Sequence, residues 1–240
     1  MLCYDRFSPI LFSLFFSSLF FSFLFSLLSS PLLFRKLTLA HLNVNSLRNK
    51  VDQLEVFLES EEPNIMCFSE HHLKEQERGT IFFENYYEGS AYCRQQKTRG
   101  GTVIYVDKKN RSEELRVADL IEEGSIEMCA VKLIDVKITV ACVYRPPSGS
   151  YKVFFRNFRK LADRLCKGDR TVFICGDFNI DLMASENRKD RIHKQKLIQT
   201  LNLYGLKACF DAPTRETESS KTLIDNVLNT LCSLTWSQSV

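Results

Sequence analysis

Glycine and proline are scarce in this 240-residue chain, at 9 and 6. That excludes collagen-like repeats and makes long flexible linkers unexpected. No C-x-x-C pair occurs among the nine cysteines, and their spacing is wide. Neither a zinc site nor a disulfide framework is expected. Cysteines inside apolar runs, as in Ile65-Met66-Cys67-Phe68 and Phe173-Ile174-Cys175, read as free buried thiols of a chain made for a reducing compartment. An excess of one charge is missing too. The formal net charge is +3, with 25% charged and 45% hydrophobic residues, so composition indicates neither disorder nor a strongly cationic partner-binding chain.

The longest gap is in charge itself: none lies between Phe7 and Phe34, where 27 of 28 residues are Phe, Ser, Leu or Pro. Such a run is long enough to cross a bilayer as a helix, for which about 20 residues suffice. Arg35-Lys36 follow it, and the positive-inside bias would then leave the remainder in the cytosol. A signal peptide is the second reading, although Pro31 stands where cleavage would fall. The third is a translated pyrimidine tract, because all four residue types have codons built only from pyrimidines. On each reading residues 1–35 stand apart from a domain at 36–240, and residues 7–34 are expected as an isolated helix or coil with few contacts.

From Lys36 onward short apolar strands alternate with amphipathic helices. Strands are expected at 36–44, 64–69, 102–106, 126–134, 136–143, 171–175 and 223–228. Leu47, Val51, Leu54, Phe57 and Leu58 recur at helical spacing and stop near Pro63. Phe154, Phe158, Leu161 and Leu165 form the apolar stripe of a second helix, and a polar helix is expected at 187–203. This interleaving makes a layered α/β, or α+β, domain. Six acids between Glu113 and Glu127 precede seven bases between Lys152 and Arg170. A solvated helix face and a phosphate-backbone footprint both account for those bases.

Four polar clusters close predicted strands. They are Asn43-Val44-Asn45, Ser69-Glu70-His71-His72, Tyr144-Arg145-Pro146-Pro147 and Gly176-Asp177-Phe178-Asn179-Ile180-Asp181. On a continuing strand, residues two apart share a face, which would pair Asn43 with Asn45 and Asp177 with Asn179. Gly176 lets another backbone come close. Singly, a strand-end Asp or Asn reads as a turn residue or helix cap, and His71 and His72 read as solvent-facing.

Together, in this order, and with Arg99-Gly100-Gly101, Pro213-Thr214-Arg215 and Ile224-Asp225-Asn226-Val227-Leu228, the clusters resemble the endonuclease/exonuclease/phosphatase superfamily. Within it the chain is similar, over about residues 36–230, to the apurinic-type endonuclease domain of non-LTR (LINE-type) retrotransposons. The resemblance implies a four-layer sandwich, two central β-sheets with helices outside. It implies phosphodiester hydrolysis with Mg²⁺ or Mn²⁺ on double-stranded DNA, in nucleus or cytoplasm, with no protein partner. Glu70 becomes a metal ligand, supported by Asn43 and Asn45. Asp177 orients the attacking water or takes its proton, Asn179 holds the water or a phosphate oxygen, and Tyr144 donates to the developing charge. Asp225 orients a catalytic histidine, and Arg145, Thr214 and Arg215 fall on the substrate side.

One feature of the family is not found. The pattern closes with Ser-Asp-His, whereas the last histidine here is His193. Impaired activity and an open sheet edge are the expected consequences. Two other readings stay open: a membrane-associated, sphingomyelinase-like phosphodiesterase of the same fold, and a non-catalytic binding remnant. Membrane becomes a partner only if residues 7–34 are an anchor.

Overall fold

Hydrophobic alternation in this chain is set up to bury both faces of two sheets. The computed structural model describes residues 22–27, 37–183, 188–217, 220–230 and 236–239. Its strands are β1 (Ser22–Leu27), β2 (Leu37–Asn43), β3 (Ile65–Ser69), β4 (Tyr86–Tyr92), β5 (Thr102–Asp107), β6 (Ser112–Glu114) and β7 (Glu127–Leu133). They continue with β8 (Ile138–Tyr144), β9 (Thr171–Asp177), β10 (Lys207–Ala208), β11 (Arg215–Thr217), β12 (Ser220–Thr222), β13 (Asp225–Asn229) and β14 (Trp236–Ser239). The α-helices are α1 (Val51–Glu61), α2 (Tyr151–Leu165) and α3 (Arg188–Leu203).

One sheet has the order β14-β1-β2-β3-β5-β4 and the other β10-β13-β9-β8-β7-β6, with β11-β12 as a separate ribbon. Each six-stranded sheet has one parallel pair at its heart, β2 with β3 and β8 with β9. A parallel pair needs a crossover, and α1 and α2 supply them.

The period of two sorts side chains into layers. On β3, Ile65 and Cys67 face the second sheet while Met66 and Phe68 face α1. On β8, Val140 and Cys142 face the first sheet while Ala141 and Val143 face α2. The outer layer over the second sheet is filled by Phe154, Phe158 and Leu161 of α2 and Leu197 and Leu201 of α3. The result is the helix–sheet–sheet–helix sandwich the resemblance implies. The seven described cysteines are all free thiols, and Cys67, Cys129, Cys142 and Cys175 meet between the sheets. The two blocks of charge meet as well, through Arg156–Glu122 at 3.0 Å and Arg164–Asp119 at 2.8 Å. Part of the basic face of α2 is thus occupied internally.

Strand β4 escapes sequence reading because its Glu88-Gly89-Ser90 centre lacks apolar alternation and carries a register shift against β5. The apolar segment also differs from expectation. Its described part, Ser22–Leu27, is neither an isolated helix nor coil but a strand paired antiparallel with β2, Phe23 opposite His41 and Leu27 opposite Leu37. Unpaired backbone groups along a strand edge are a template for another strand, and Phe-Leu-Phe suits one. β1 and β14 lie outside β2 in this sheet. The rest of 7–34 lies outside the described residues. Among the described residues no helix is long and apolar enough to cross a membrane.

His71 is built into this frame. Its Nδ1 accepts from the Leu73 amide at 2.9 Å, so Nε2 carries the proton donated to the Tyr92 carbonyl at 2.9 Å. Burial holds its pKa down at about 4, against an ordinary 6.5. The unfolded chain takes up this proton as pH falls through 6.5, whereas the folded chain does so only near 4. Stability is therefore complete above pH 6.5 and declines between 6.5 and 4, by about 3 kcal/mol from this residue. Urea unfolding at pH 7.5 and 5 is the check. A His71→Gln variant, though less stable at neutral pH, should shift the stability change between pH 7.5 and 5 by about 2 kcal/mol in favour of pH 5 relative to the parent; the same change in both proteins would refute the assignment.

Candidate active site

The two parallel pairs point their C-terminal ends the same way, and there the first sheet brings Asn43 and Glu70 and the second Tyr144 and Asp177. Open α/β sheets present ligand sites at these carboxyl ends. Register does the rest: Tyr144 lies opposite Asp177 across β8–β9, and Asp177 opposite Asp225 across β9–β13. All four strand residues, with Asn43, continue the inward-facing rows of His41, Cys142, Cys175 and Val227, so the period of two turns them into the space between the sheets.

Asn43 joins the sheets. Its Nδ2 donates to Glu70 Oε1 at 2.7 Å and to Asp177 Oδ2 at 2.9 Å. Glu70 is one residue beyond β3 and would point outward, but its φ of 55° breaks the alternation and swings the carboxylate in. There it receives Tyr144 and His72, whose Nε2 lies 3.4 Å from Oε2. Burial works against ionising Glu70, yet the hydrogen bonds from His72, Asn43 and Tyr144 prevail and hold its pKa below the ordinary carboxylate range. Asp177 goes the other way. Burial, with the Glu70 charge beside it, pushes its pKa up to about 7, even though Asn43 and the Asn179 amide stabilise the anion. Tyr144 is buried next to both carboxylates, and its hydroxyl is held protonated far above neutral pH. One short-range environment thus forces two carboxylates into opposite regimes, the kind of perturbation that clusters at functional sites.

Asp225 sits behind them. Thr214 Oγ1 donates to Asp225 Oδ2 at 3.2 Å and accepts from the amides of Ile224 and Asp225. Burial and the Asp177 charge raise its pKa. Its other oxygen, Oδ1, is buried and has no hydrogen-bond partner among the described residues.

Two residues are placed otherwise than sequence spacing predicts. Asn45 does not share a face with Asn43, because β2 ends at Asn43 and Asn45 occupies a turn with φ 40°. Its side chain is exposed, and its backbone amide donates to Asn43 Oδ1 at 3.2 Å. Asn179 likewise lies past β9 at φ 47°; its Nδ2 is engaged by the Arg145 carbonyl at 2.8 Å and its amide holds Asp177 Oδ1 at 2.9 Å. Arg145 is 1% exposed and turned away from the cleft, its guanidinium donating to four backbone carbonyls. Thr214 is buried against Asp225, whereas Arg215 is exposed on the β11–β12 ribbon. His71 and His72 are not solvent-facing: the first is buried in the frame and the second is mostly covered beside Glu70.

Sequence reading missed one further pair. Glu127, fully buried, accepts from Arg94 Nε at 2.6 Å, the Gly101 amide at 2.7 Å and the Gly124 amide at 3.1 Å. It pins the exposed loop 95–99 beside Tyr144, its register partner. Only the Gly124 amide is local; the other two donors come from 33 and 26 positions earlier in the chain. The opposite end of the domain has a different character. A cavity of about 360 Å³ there is lined by Glu55, Glu59, Glu62, Glu84 and Asp107 among others, an environment that repels a polyanion.

The sequence pattern described as the Endonuclease/Exonuclease/phosphatase family matches residues 40–235. No curated protein matches the sequence. Among solved structures, a 3′ phosphatase from Neisseria bound to a product DNA hairpin is 16% identical, with a TM-score of 0.62 over 80% of this chain and 86% of that one. An AP endonuclease from Archaeoglobus fulgidus is 18% identical, with a TM-score of 0.57 over 81% and 86%. The endonuclease domain of TRAS1, a telomere-specific non-LTR retrotransposon, is 16% identical, with a TM-score of 0.59 over 79% and 82%. At these identities the likeness establishes the shared fold.

Proposed function

Because this chain belongs to the endonuclease/exonuclease/phosphatase family, we propose that it hydrolyses phosphodiesters in double-stranded DNA as the endonuclease domain of a non-LTR retrotransposon, with residues 36–240 as the working domain. The observation that carries this reading is Asn43 bridging Glu70 and Asp177 across the two sheets. It makes a compact polar end from residues 134 positions apart, with one carboxyl held ionised and the other near neutral pH.

Among the described residues no group of three or more His, Cys, Asp or Glu could hold a metal ion by itself. That is compatible with Mg²⁺ or Mn²⁺ rather than zinc, because a small hard cation keeps several waters and uses one or two carboxylates. Glu70 would hold it, with Asn43 orienting the carboxylate through Nδ2 while its Oδ1 accepts from the Asn45 amide. Bound there, the cation would supply Lewis-acid neutralisation of phosphate charge. Asn45, with its side chain in solvent, would act only through the amide that orients Asn43.

The protein groups divide the remaining work. Asp177, with a pKa of about 7, would take the proton of the attacking water; a base poised near the working pH is the efficient one. The Asn179 amide would keep Asp177 Oδ1 aimed, and Asn43 Nδ2 would hold Oδ2. Tyr144, protonated at any physiological pH, would donate to the charge developing on the phosphoryl oxygens. Asp225 would accept from an imidazole N–H, and no described histidine reaches it. Cleavage by these 240 residues alone is accordingly proposed to be slow.

The test is nicking of supercoiled plasmid with protein in excess over DNA, in Mg²⁺, beside a sphingomyelin-hydrolysis assay. Slow Mg²⁺-dependent nicking is expected, reduced about 10²–10⁴-fold in Asp177→Ala and lost in Glu70→Ala. Sphingomyelin turnover without nicking, or nicking indifferent to both substitutions, would overturn the proposal.

A further inference from the structure

Arg145 is a buried cation with no carboxylate in contact. Its guanidinium donates to four backbone carbonyls, Nε to Phe178 at 2.8 Å, Nη2 to Asn179 at 2.7 Å, and Nη1 to Gly149 at 2.9 Å and Pro147 at 3.5 Å, and the Tyr151 side chain engages it as well. Its own backbone closes the arrangement. The Arg145 amide donates to the Asp177 carbonyl at 2.9 Å, and its carbonyl accepts from Asn179 Nδ2 at 2.8 Å. The two segments thus tied together are the ones that follow β8 and β9 and carry Tyr144, Asp177 and Asn179. A planar fork with five fixed donors suits this task, and an ammonium cannot reproduce it.

The outer face of the guanidinium is covered by rings. It lies 4.1 Å over Tyr151, the first residue of α2. Tyr151 in turn stacks on His193 of α3 at 3.4 Å and 6°. Both rings are only half-buried, so they can be altered with less damage than Arg145 itself.

We propose that Arg145 is a positioning residue rather than a substrate contact: clamped between Tyr151 and the carbonyls of Phe178 and Asn179, it sets where Asp177, Asn179 and Tyr144 stand relative to one another. The role in catalysis rests on the hydrolase reading above; the clamp itself does not. A misplacement of about 1 Å at reacting groups is enough to cost about 10²-fold in rate, so loosening the clamp should act on turnover and leave DNA affinity alone. Tyr151→Phe keeps the ring over the guanidinium, whereas Tyr151→Leu removes it.

Two readouts test this on the full chain with Arg145→Lys, Tyr151→Leu, His193→Leu and Tyr151→Phe. The first is amide hydrogen exchange at Phe178 and Asn179, whose N–H groups bond Ile224 O and Asp177 Oδ1. Exchange there should accelerate by about tenfold or more in Arg145→Lys and Tyr151→Leu, while Ile174 and Cys175 stay protected. Tyr151→Phe, which loses the hydroxyl but keeps the ring, should lie closer to the parent than to Tyr151→Leu. The second is single-turnover nicking with DNA binding measured in parallel: the rate should fall about 10²-fold in Arg145→Lys and by less in Tyr151→Leu and His193→Leu, with binding within twofold of the parent. Unchanged exchange in Arg145→Lys would overturn the clamp. Weakened DNA binding with normal exchange would make Arg145 a substrate contact and overturn it as well. If the parent fails to nick DNA, the hydrolase reading falls while the exchange result still decides the clamp. Should Arg145→Lys not fold, Tyr151→Leu against Tyr151→Phe decides it.

Discussion

Gly176→Ala is expected to leave little folded protein. A Cβ at Gly176 would stand 1.8 Å from the Val143 carbonyl oxygen and 2.8 Å from its carbon, at a φ of 155°. These are backbone atoms of the directly opposed residue in the β8–β9 ladder, so no side-chain rotation relieves the clash. The two central strands must separate just before Tyr144 and Asp177, where the second sheet meets the site. Core overpacking commonly costs about 1–3 kcal/mol, and here ladder bonds are lost in addition, so a loss above about 3 kcal/mol is expected. Gly205→Ala is the control: nothing lies within 4 Å of its Cβ position, and only the left-handed backbone penalty of about 1–2 kcal/mol applies. Urea midpoints, or soluble yield where Gly176→Ala does not accumulate, give the comparison. Equal losses at the two glycines would refute the argument.

Gly176 also illustrates what was legible in the sequence. A glycine between an apolar strand and Asp177 advertised a close backbone approach, and the structure has one at Val143. The layered fold was legible for the same reason that it is stable: β3, β8 and β9 are continuous apolar runs because both faces are covered. Strand ends were less readable. The face-sharing inferred for Asn43 with Asn45, and for Asp177 with Asn179, assumed that the strands continued, whereas both turn at once into positive φ. Asn45 and Asn179 therefore act through backbone amides on the side chains two residues earlier. Arg145 and Glu127 could not be read at all. Their distant partners lie 33 and 34 positions away in the one case and 26 and 33 in the other; the β8–β9 pairing brings together the first set and the docking of the two sheets the second.

Giving Asp225 an imidazole partner should raise the nicking rate by about 10²–10³-fold, the usual effect of one well-placed donor to developing phosphoryl charge. Asp225 is held from one side only: Thr214 fixes Oδ2, and Oδ1 is buried without a partner among the described residues. A buried acceptor left unpaired is costly, and its place beside Asp177 makes an imidazole N–H a fitting complement. The experiment is a chain in which a segment ending in Ser-Asp-His is grafted after Asn229, the end of β13. Single-turnover nicking is compared with the parent, with and without Asp225→Asn. The gain should depend on Asp225. A folded graft with the parent's rate, or a gain that survives Asp225→Asn, would show that Asp225 has no histidine to orient and that the slow reaction has another cause.

The bridge made by Asn43 also governs when this end of the molecule comes into being. Its carboxylate partners are 27 and 134 positions away, and both parallel pairs close through helical crossovers. Such non-local pairings form slowly, because the loop must be ordered before the contact rewards it. As the chain leaves the ribosome, β2, β3 and β5 can assemble with Glu70 in place while Asp177 is still an ordinary, solvated acid. The burial and the neighbouring charge that lift Asp177 toward neutrality arrive only when the second sheet docks on the first. The raised pKa of Asp177 is thus a property of the completed core and not of the strand that carries it.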